Sequence, residues 1–324
     1  MKKHSNNWVG NTVKTLFIPI FTALLFVIIC EANGLHLVET QGHVLTLIRS
    51  TVVIGCTSWA LALNLNSGRF DFSIGSIALL SSMISAKLVI MFDLPVIAML
   101  VIGVILGGIL GCISGVLYVL LKLPPIITSL GVTLIYEAFT FVVTNGEGLL
   151  ISTNLNLLEI STIPWLTAIG IVGLTSIYIL MNKTTFGYNH KALQYGQKIS
   201  NNTGINETKN AILSYTFAGL LMGAVGCINL TTKGTASVSI NFSSISTMFV
   251  AFLPLFIGGF IGRFSEERIG IFLGAITSAL ITLGFVRLDV SSQMQSLVNA
   301  VILLLFLVYL NNEQKLVQLF RGRK

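Results

Sequence analysis

Charge is scarce in this sequence. Of 324 residues only 10% are Asp, Glu, Lys or Arg, while 54% are hydrophobic; an ordinary soluble domain carries about 25% charged residues. A water-soluble globule has too little polar surface here to cover its apolar content. Cysteine and histidine are sparse too, four of each. Cys30, Cys56, Cys112 and Cys227 stand singly in apolar segments, and His4, His36, His43 and His190 are dispersed. The paired spacings of a zinc or redox site are missing, so no metal, cofactor or catalytic group is expected on this chain. No Gly-x-x-x-x-Gly-Lys-Ser/Thr loop exists to cradle nucleotide phosphates. A net charge of +7 would suit nucleic acid, but the cations are spread out and form no basic stripe interleaved with aromatics, so nucleic acid is not an expected partner.

Long apolar runs are what the chain does have. About 20 apolar residues make one helical span of a bilayer, and ten runs qualify: 16–31, 44–63, 74–92, 95–121, 125–143, 163–181, 211–230, 245–261, 269–286 and 294–310. Lipid leaves open backbone groups unsatisfied, so these runs read as helices. The expectation is an all-α polytopic bundle forming one transmembrane domain over 1–324, with tails at 1–15 and 311–324 and a polar loop at 182–210. Hairpin turns are expected at Asp93-Leu94 and Leu123-Pro124, because proline tends to begin a helix rather than continue one. The first run has the outline of a signal peptide, with Lys2, Lys3 and Lys14 ahead of Leu16 to Cys30. The stretch Cys30-Glu31-Ala32-Asn33-Gly34 lacks a small-x-small cleavage site, so a retained helix is expected. With both termini in the cytoplasm, all of the 19 Lys and Arg residues fall on the cytoplasmic side except Arg49, Lys87, Lys233 and Arg287. That is the positive-inside pattern.

Some polar and small residues stand out against this background. Gly103, Gly107, Gly111 and Gly115 recur every fourth residue, Gly219 with Gly223 and Gly270 with Gly274 repeat the interval, and such faces allow close helix packing; lining a pore is the alternative. Asp71 and Ser73 precede the third run, where a carboxylate would cap a helix N-terminus or line a cavity built of irregular backbone. Glu137 is the one acidic residue near the middle of a run, a costly placement that reads either as functional or as a group made neutral by protonation or by Arg49 or Lys87. Asn64, Asn66 and Asn229 are further candidates for a path taken by a hydroxyl-rich solute, or for hydrogen bonds between helices. Within 182–210, a short helix is expected over about Gln197 to Asn202, with Gly204 beyond its end.

Several of these segments resemble the ribose-type permease subunits of bacterial ATP-binding-cassette importers, a group that includes galactoside, xylose and autoinducer-2 permeases. Gly68, Asp71, Ser73, Gly75 and Ser76 match the family's Gly-Ile-Asp-Leu-Ser-Val-Gly-Ser segment with one extra residue. Gly187, Ala192, Leu193, Gly204 and Ile205 match its cytoplasmic segment without a gap. Pro125 to Leu130 with Gly131-Val132-Thr133-Leu134, and Val143-Thr144-Asn145-Gly146, are similar to the start of its fifth span and to its next outer loop. The loop Gly258 to Gly270 departs from the family pattern, keeping a leading glycine pair and Arg268-Ile269-Gly270, and stands in the second half where the Asp71 segment stands in the first, as a weak internal repeat.

The resemblance implies a permease of the bacterial inner membrane that hydrolyses nothing itself. It implies a cytoplasmic ATPase partner, holding ATP and Mg, that pushes on Gln197, Lys198, Ile199, Ser200, Asn201 and Asn202. It further implies a second permease subunit, identical or a sister chain, and an extracytoplasmic solute-binding protein. The outer loops, with Glu31, Glu39, Asp93, Glu147, Glu159 and Asp289 against Lys233 and Arg287, would complement basic patches on that protein. An ion-coupled carrier using Glu137 and a non-transporting membrane assembly protein are the alternatives.

Overall fold

Proline and left-handed residues punctuate the chain as its hydropathy demands. The computed structural model describes residues 8–195 and 204–321. Helix α1 covers Trp8–Ala32, α2 Gln41–Leu65, α3 Ile74–Phe92, α4 Val96–Leu121, α5 Pro125–Thr144, α6 Ile163–Lys183, α7 Thr185–Tyr195 and α8 Glu207–Lys233. A short α9 (Ser246–Phe249) follows, then α10 (Phe252–Ile261), α11 (Glu267–Arg287) and α12 (Ser292–Arg321). Among the described residues, ten segments are long and apolar enough to cross a membrane. The turn after α3 passes through Asp93 at φ 49°, with Pro95 as the N-cap of α4; the turn after α4 passes through Lys122 at φ 53°, with Pro125 opening α5. The expected helix at Gln197 to Asn202 lies outside the described residues.

Two features add to the apolar pattern. The eighth span is interrupted: a 3-10 turn at Ser243–Ile245 leads into α9, the helix breaks at residues 250–251, and α10 resumes. The loops after α5 and α8 also pair, since β1 (Leu149–Leu150) runs antiparallel to β2 (Thr235–Ala236) in the register Leu149↔Ala236 and Leu150↔Thr235.

The chain divides into two compact units, one of residues 1–47 with 252–324 and the other of residues 48–251. In the first, Phe26, Cys30, Leu253, Ile257 and Leu283 belong to the buried core. The α10–α11 hairpin closes on bare backbone: a Cβ at Gly258 would meet the Ile271 nitrogen at 2.7 Å, and one at Gly270 the Gly262 nitrogen at 2.7 Å. The loop of this hairpin ends with Glu266 accepting from the Arg268 and Ile269 amides at 2.9 and 3.2 Å.

In the second unit the four-residue glycine intervals on α4 and α8 face each other. A Cβ at Gly107 would lie 2.8 Å from Gly223 Cα, one at Gly111 would lie 3.1 Å from Gly219 Cα, and one at Gly115 would lie 2.9 Å from Ile212 Cα; Gly103 faces Cys227. Rising numbers on α4 meet falling numbers on α8, so the two helices run antiparallel, as a fourth and a seventh span must. Lipid offers no hydrophobic drive for this pairing, so van der Waals contact between backbones supplies it.

Helix α3 begins deep along α8. Ala78, in its second turn, packs on Gly226, where a Cβ would lie 2.7 Å from the Ala78 carbonyl carbon. Gly226 is about five turns into α8. The linker from α2 to α3 therefore follows the length of α8, since at its other end buried Ser67 meets the His190 ring that Asn210 and Ser214, in the first turns of α8, also reach. Irregular backbone at such depth is tolerated only inside protein or along a cavity.

Candidate functional site

The hydroxyl-rich stretch after α8 builds one wall of a cavity of about 300 Å³. A second wall is the start of α3, with Gly75, Ala78, Leu79 and Ser82, and a third is the end of α8, with Gly226, Asn229, Leu230 and Lys233. The stretch itself contributes Thr235, Ser237, Ser239, Ser243, Ser244, Ser246 and Thr247. The volume is at the lower end of the roughly 300–1,000 Å³ typical of small-ligand sites. Among the described residues, the lining carries the lysine ammonium and no carboxylate.

Glu137, on α5 and 1% exposed, stands behind the serine wall. Its Oε1 accepts from Ser244 N at 2.9 Å, Ser244 Oγ at 2.6 Å and Ser239 Oγ at 3.2 Å, and its Oε2 accepts from Phe242 N at 2.9 Å. The carboxylate thus takes the first amides of the 3-10 turn that starts the eighth span, which is a capping arrangement. Neither cation considered for it is its partner. Lys87 Nζ donates instead to the Val143 carbonyl at 2.6 Å, and Arg49 Nε is buried without a hydrogen bond to any described residue. Because Ser239 and Ser244 spend their protons on Glu137, their oxygens are left as acceptors, and Ser239 accepts from the Ser243 hydroxyl beside it.

A second carboxylate holds the start of α3. Asp71 Oδ1 accepts from Ser73 N at 2.9 Å and Ser73 Oγ at 2.6 Å, and its Oδ2 accepts from Asn64 Nδ2 at 3.0 Å. All three residues are fully buried, with Asp71 1% exposed. Burial pushes the Asp71 carboxyl up to about 6, against the opposing hydrogen bonds from Ser73 and Asn64. Burial likewise lowers the Arg69 guanidinium. One turn on, Gly75 packs against the Ser244 carbonyl, where a Cβ would lie 2.9 Å from its carbon. The two capped helix starts therefore abut at the cavity.

Of the residues singled out in the sequence for a solute path, Asn229 lines the cavity. Glu137 lies one hydrogen-bond layer behind it, and Asn64, Asp71 and Ser73 form a closed group behind Gly75. Asn66 is half-buried at the end of α2. In the segment after α6, Gly187 lets α7 fold back on the Met181 backbone, where a Cβ would meet Met181 Cα at 2.5 Å; Leu193 is buried, Ala192 half-buried, and Gly204 sits in the left-handed region at φ 86°. Sequence reading missed Ser239 and Ser244. The signal was present in the near-alternation of Ser and Thr from Thr235 to Thr247.

Residues 43–309 match the family described as branched-chain amino acid transport system / permease component. The chain belongs to this family. Among curated proteins, the ribose import permease of Bacillus subtilis (strain 168) is 26% identical over 301 residues, covering 89% of each chain. The autoinducer 2 import system permease of Photorhabdus luminescens is 27% identical over 307 residues, covering 88% of each. The fructose import permease of Rhizobium meliloti is 24% identical over 254 residues, covering 74% of this chain and 69% of that one. No solved structure matches. This permease is accordingly a multi-pass membrane protein of the transport-system class, and the cavity and its two capped helix starts lie within the family match.

Proposed function

We propose that this chain is the membrane-spanning permease of an ATP-binding-cassette importer of the bacterial inner membrane, carrying a monosaccharide or a related polyhydroxylated solute. The observation that carries this reading is the cavity wall. Serine oxygens backed by the Glu137 carboxylate accept from solute hydroxyls, while Asn229 and Lys233 donate. Relatives named for ribose, fructose and autoinducer 2 import support the same solute class. Asn64, Asp71 and Ser73 act from behind, by fixing where α3 begins.

ATP and Mg belong to a cytoplasmic ATPase partner that engages Gln197 to Asn202, which lie outside the described residues. A binding protein delivers solute from outside, and a second permease completes the path. The chain performs no chemistry of its own. An ion-coupled carrier needs a carboxylate that exchanges its cation, and Glu137, held by four protein donors, is poorly placed for that.

The test is uptake of radiolabelled ribose by proteoliposomes holding the permease, its ATPase and its binding protein. Uptake should require ATP and all three components, and Asn229→Leu should lower it about tenfold, as expected when a buried hydrogen bond to a ligand is lost. ATP-independent uptake by the permease alone would overturn the importer reading.

A further inference from the structure

The linker between α2 and α3 is fastened at its start to α7, the helix that leads into residues 196–203. His190 of α7 is fully buried, with its ring beside Phe186 at 5.5 Å between centroids. Asn210, in the first turns of α8, donates from Nδ2 to the Phe186 carbonyl at 3.3 Å, which turns its Oδ1 toward His190 Nδ1, also at 3.3 Å. The Ser67 hydroxyl lies 3.3 Å from both Nδ1 and Nε2 of the same ring. Ser214 Oγ, which donates to the Asn210 carbonyl at 2.9 Å, stands 3.4 Å from Nδ1. One imidazole thus joins the linker, α7 and α8.

Beyond Ser67 the linker has little slack. Arg69 N donates to the Asn64 carbonyl at 3.0 Å, Ser129 of α5 donates to the Phe70 carbonyl at 3.3 Å, and Asp71 grips Ser73 and Asn64. Two residues after Ser73, Gly75 meets Ser244 at the cavity wall. Every second residue or so is tied, so a displacement of Ser67 is passed to the start of α3 instead of being absorbed.

We propose that His190 is a positioning residue that ties α7 to the α2–α3 linker, so that movement imposed on α7 by the ATPase reaches the cavity wall through Ser67, Asp71 and the first turn of α3. This rests on the importer reading of the preceding section. A coupling network earns that description through energetic evidence, not proximity. The junction is rigid in this scheme: cutting it uncouples, and bridging it covalently does not.

The experiment uses the complete complex in proteoliposomes, with ribose uptake and ATP hydrolysis measured in parallel. His190→Ala should lower the solute moved per ATP by about tenfold, the order expected for loss of a pair of buried hydrogen bonds, with complex assembly unchanged. His190→Asn, which keeps a donor and an acceptor, should recover part of the ratio. In a background with the four native cysteines replaced by alanine, Ser67→Cys with His190→Cys should be uncoupled as the free thiols and recoupled by a short bis-methanethiosulfonate, from which each thiol displaces a sulfinate to form a mixed disulfide. A wild-type ratio in His190→Ala, a parallel fall of uptake, hydrolysis and assembly, or no recovery on bridging would each overturn the proposal. A wild-type complex without ATP-driven uptake would overturn the importer reading itself, and the coupling role with it.

Discussion

Glu137 and Ser244 are joined by two hydrogen bonds across 107 residues of sequence, from the Ser244 amide at 2.9 Å and its hydroxyl at 2.6 Å to the same carboxylate oxygen. The second oxygen takes the Phe242 amide, so one side chain of α5 fixes the start of the eighth span. Removing it strands the buried Ser244 amide and the part-buried Phe242 amide. Each hydrogen bond to a charged group contributes roughly 1.5–3 kcal/mol, so Glu137→Ala should cost about 3 kcal/mol or more and lower the melting temperature in detergent. Glu137→Gln should fall between, because it keeps one oxygen but sets an NH2 against Phe242 N–H. Melting curves within error of wild type for Glu137→Ala would remove Glu137 from the cap.

Asp71 predicts a pH dependence of stability. Its folded-state value near 6 lies above the ordinary 3.8, so between these two values the folded chain holds a proton that the unfolded chain has released. Stability from this group falls as pH rises through that window. Above it, the buried charge costs on the order of 3 kcal/mol at 1.36 kcal/mol per pH unit. Asp71→Asn removes the slope. Asn64 Oδ1 is buried without a partner among the described residues, so a flip of its amide lets it accept from the new NH2. The mutant should gain in melting temperature over wild type between pH 4.5 and pH 7; an equal difference at both values would rule the titration out.

Much of this fold was legible because the bilayer makes hydropathy decisive. Apolar runs located the spans, Pro95 and Pro125 marked helix starts, and the glycine intervals on α4 and α8 were visible before their facing was known. The break at residues 250–251 was not legible, since Ser243 to Ile261 is apolar enough to read as one helix. Nor was the role of Glu137. Its partners are amides and serines about a hundred residues away, and backbone donors leave no trace in composition. Asp71 was readable as a cap because its donor, Ser73, is two residues on.

The glycine seam gives a prediction with an internal control. A side chain at Gly107 or Gly219 must displace the backbone of the opposing helix, and overpacking of this kind costs about 1–3 kcal/mol or more. A Cβ added at Gly131 or Gly259 would have no described atom within 4 Å, so alanine there should be neutral or slightly favourable by helix propensity. Gly107→Val and Gly219→Val should reduce the folded fraction recovered from membranes, measured by size-exclusion chromatography, while Gly131→Ala and Gly259→Ala match wild type. Full recovery of Gly107→Val would mean the α4–α8 contact is looser than described.

Orientation decides whether a cytoplasmic motor can reach the segment after α6. Glu147 follows α5 and Lys209 begins α8, and α6 is the one candidate span among the described residues between them, so the two residues must lie on opposite sides of the bilayer. From the distribution of Lys and Arg, Lys209 is expected inside. Glu147 and Lys209 are exposed, whereas Cys30, Cys56 and Cys227 are buried and Cys112 is half-buried, so background labelling should be low. A membrane-impermeant maleimide applied to intact cells should label Glu147→Cys and spare Lys209→Cys, with labelling of the latter gained after the membrane is opened. The reverse pattern would put α7 and His190 beyond the reach of any cytoplasmic ATPase, and coupling through Ser67 would lose its source of force.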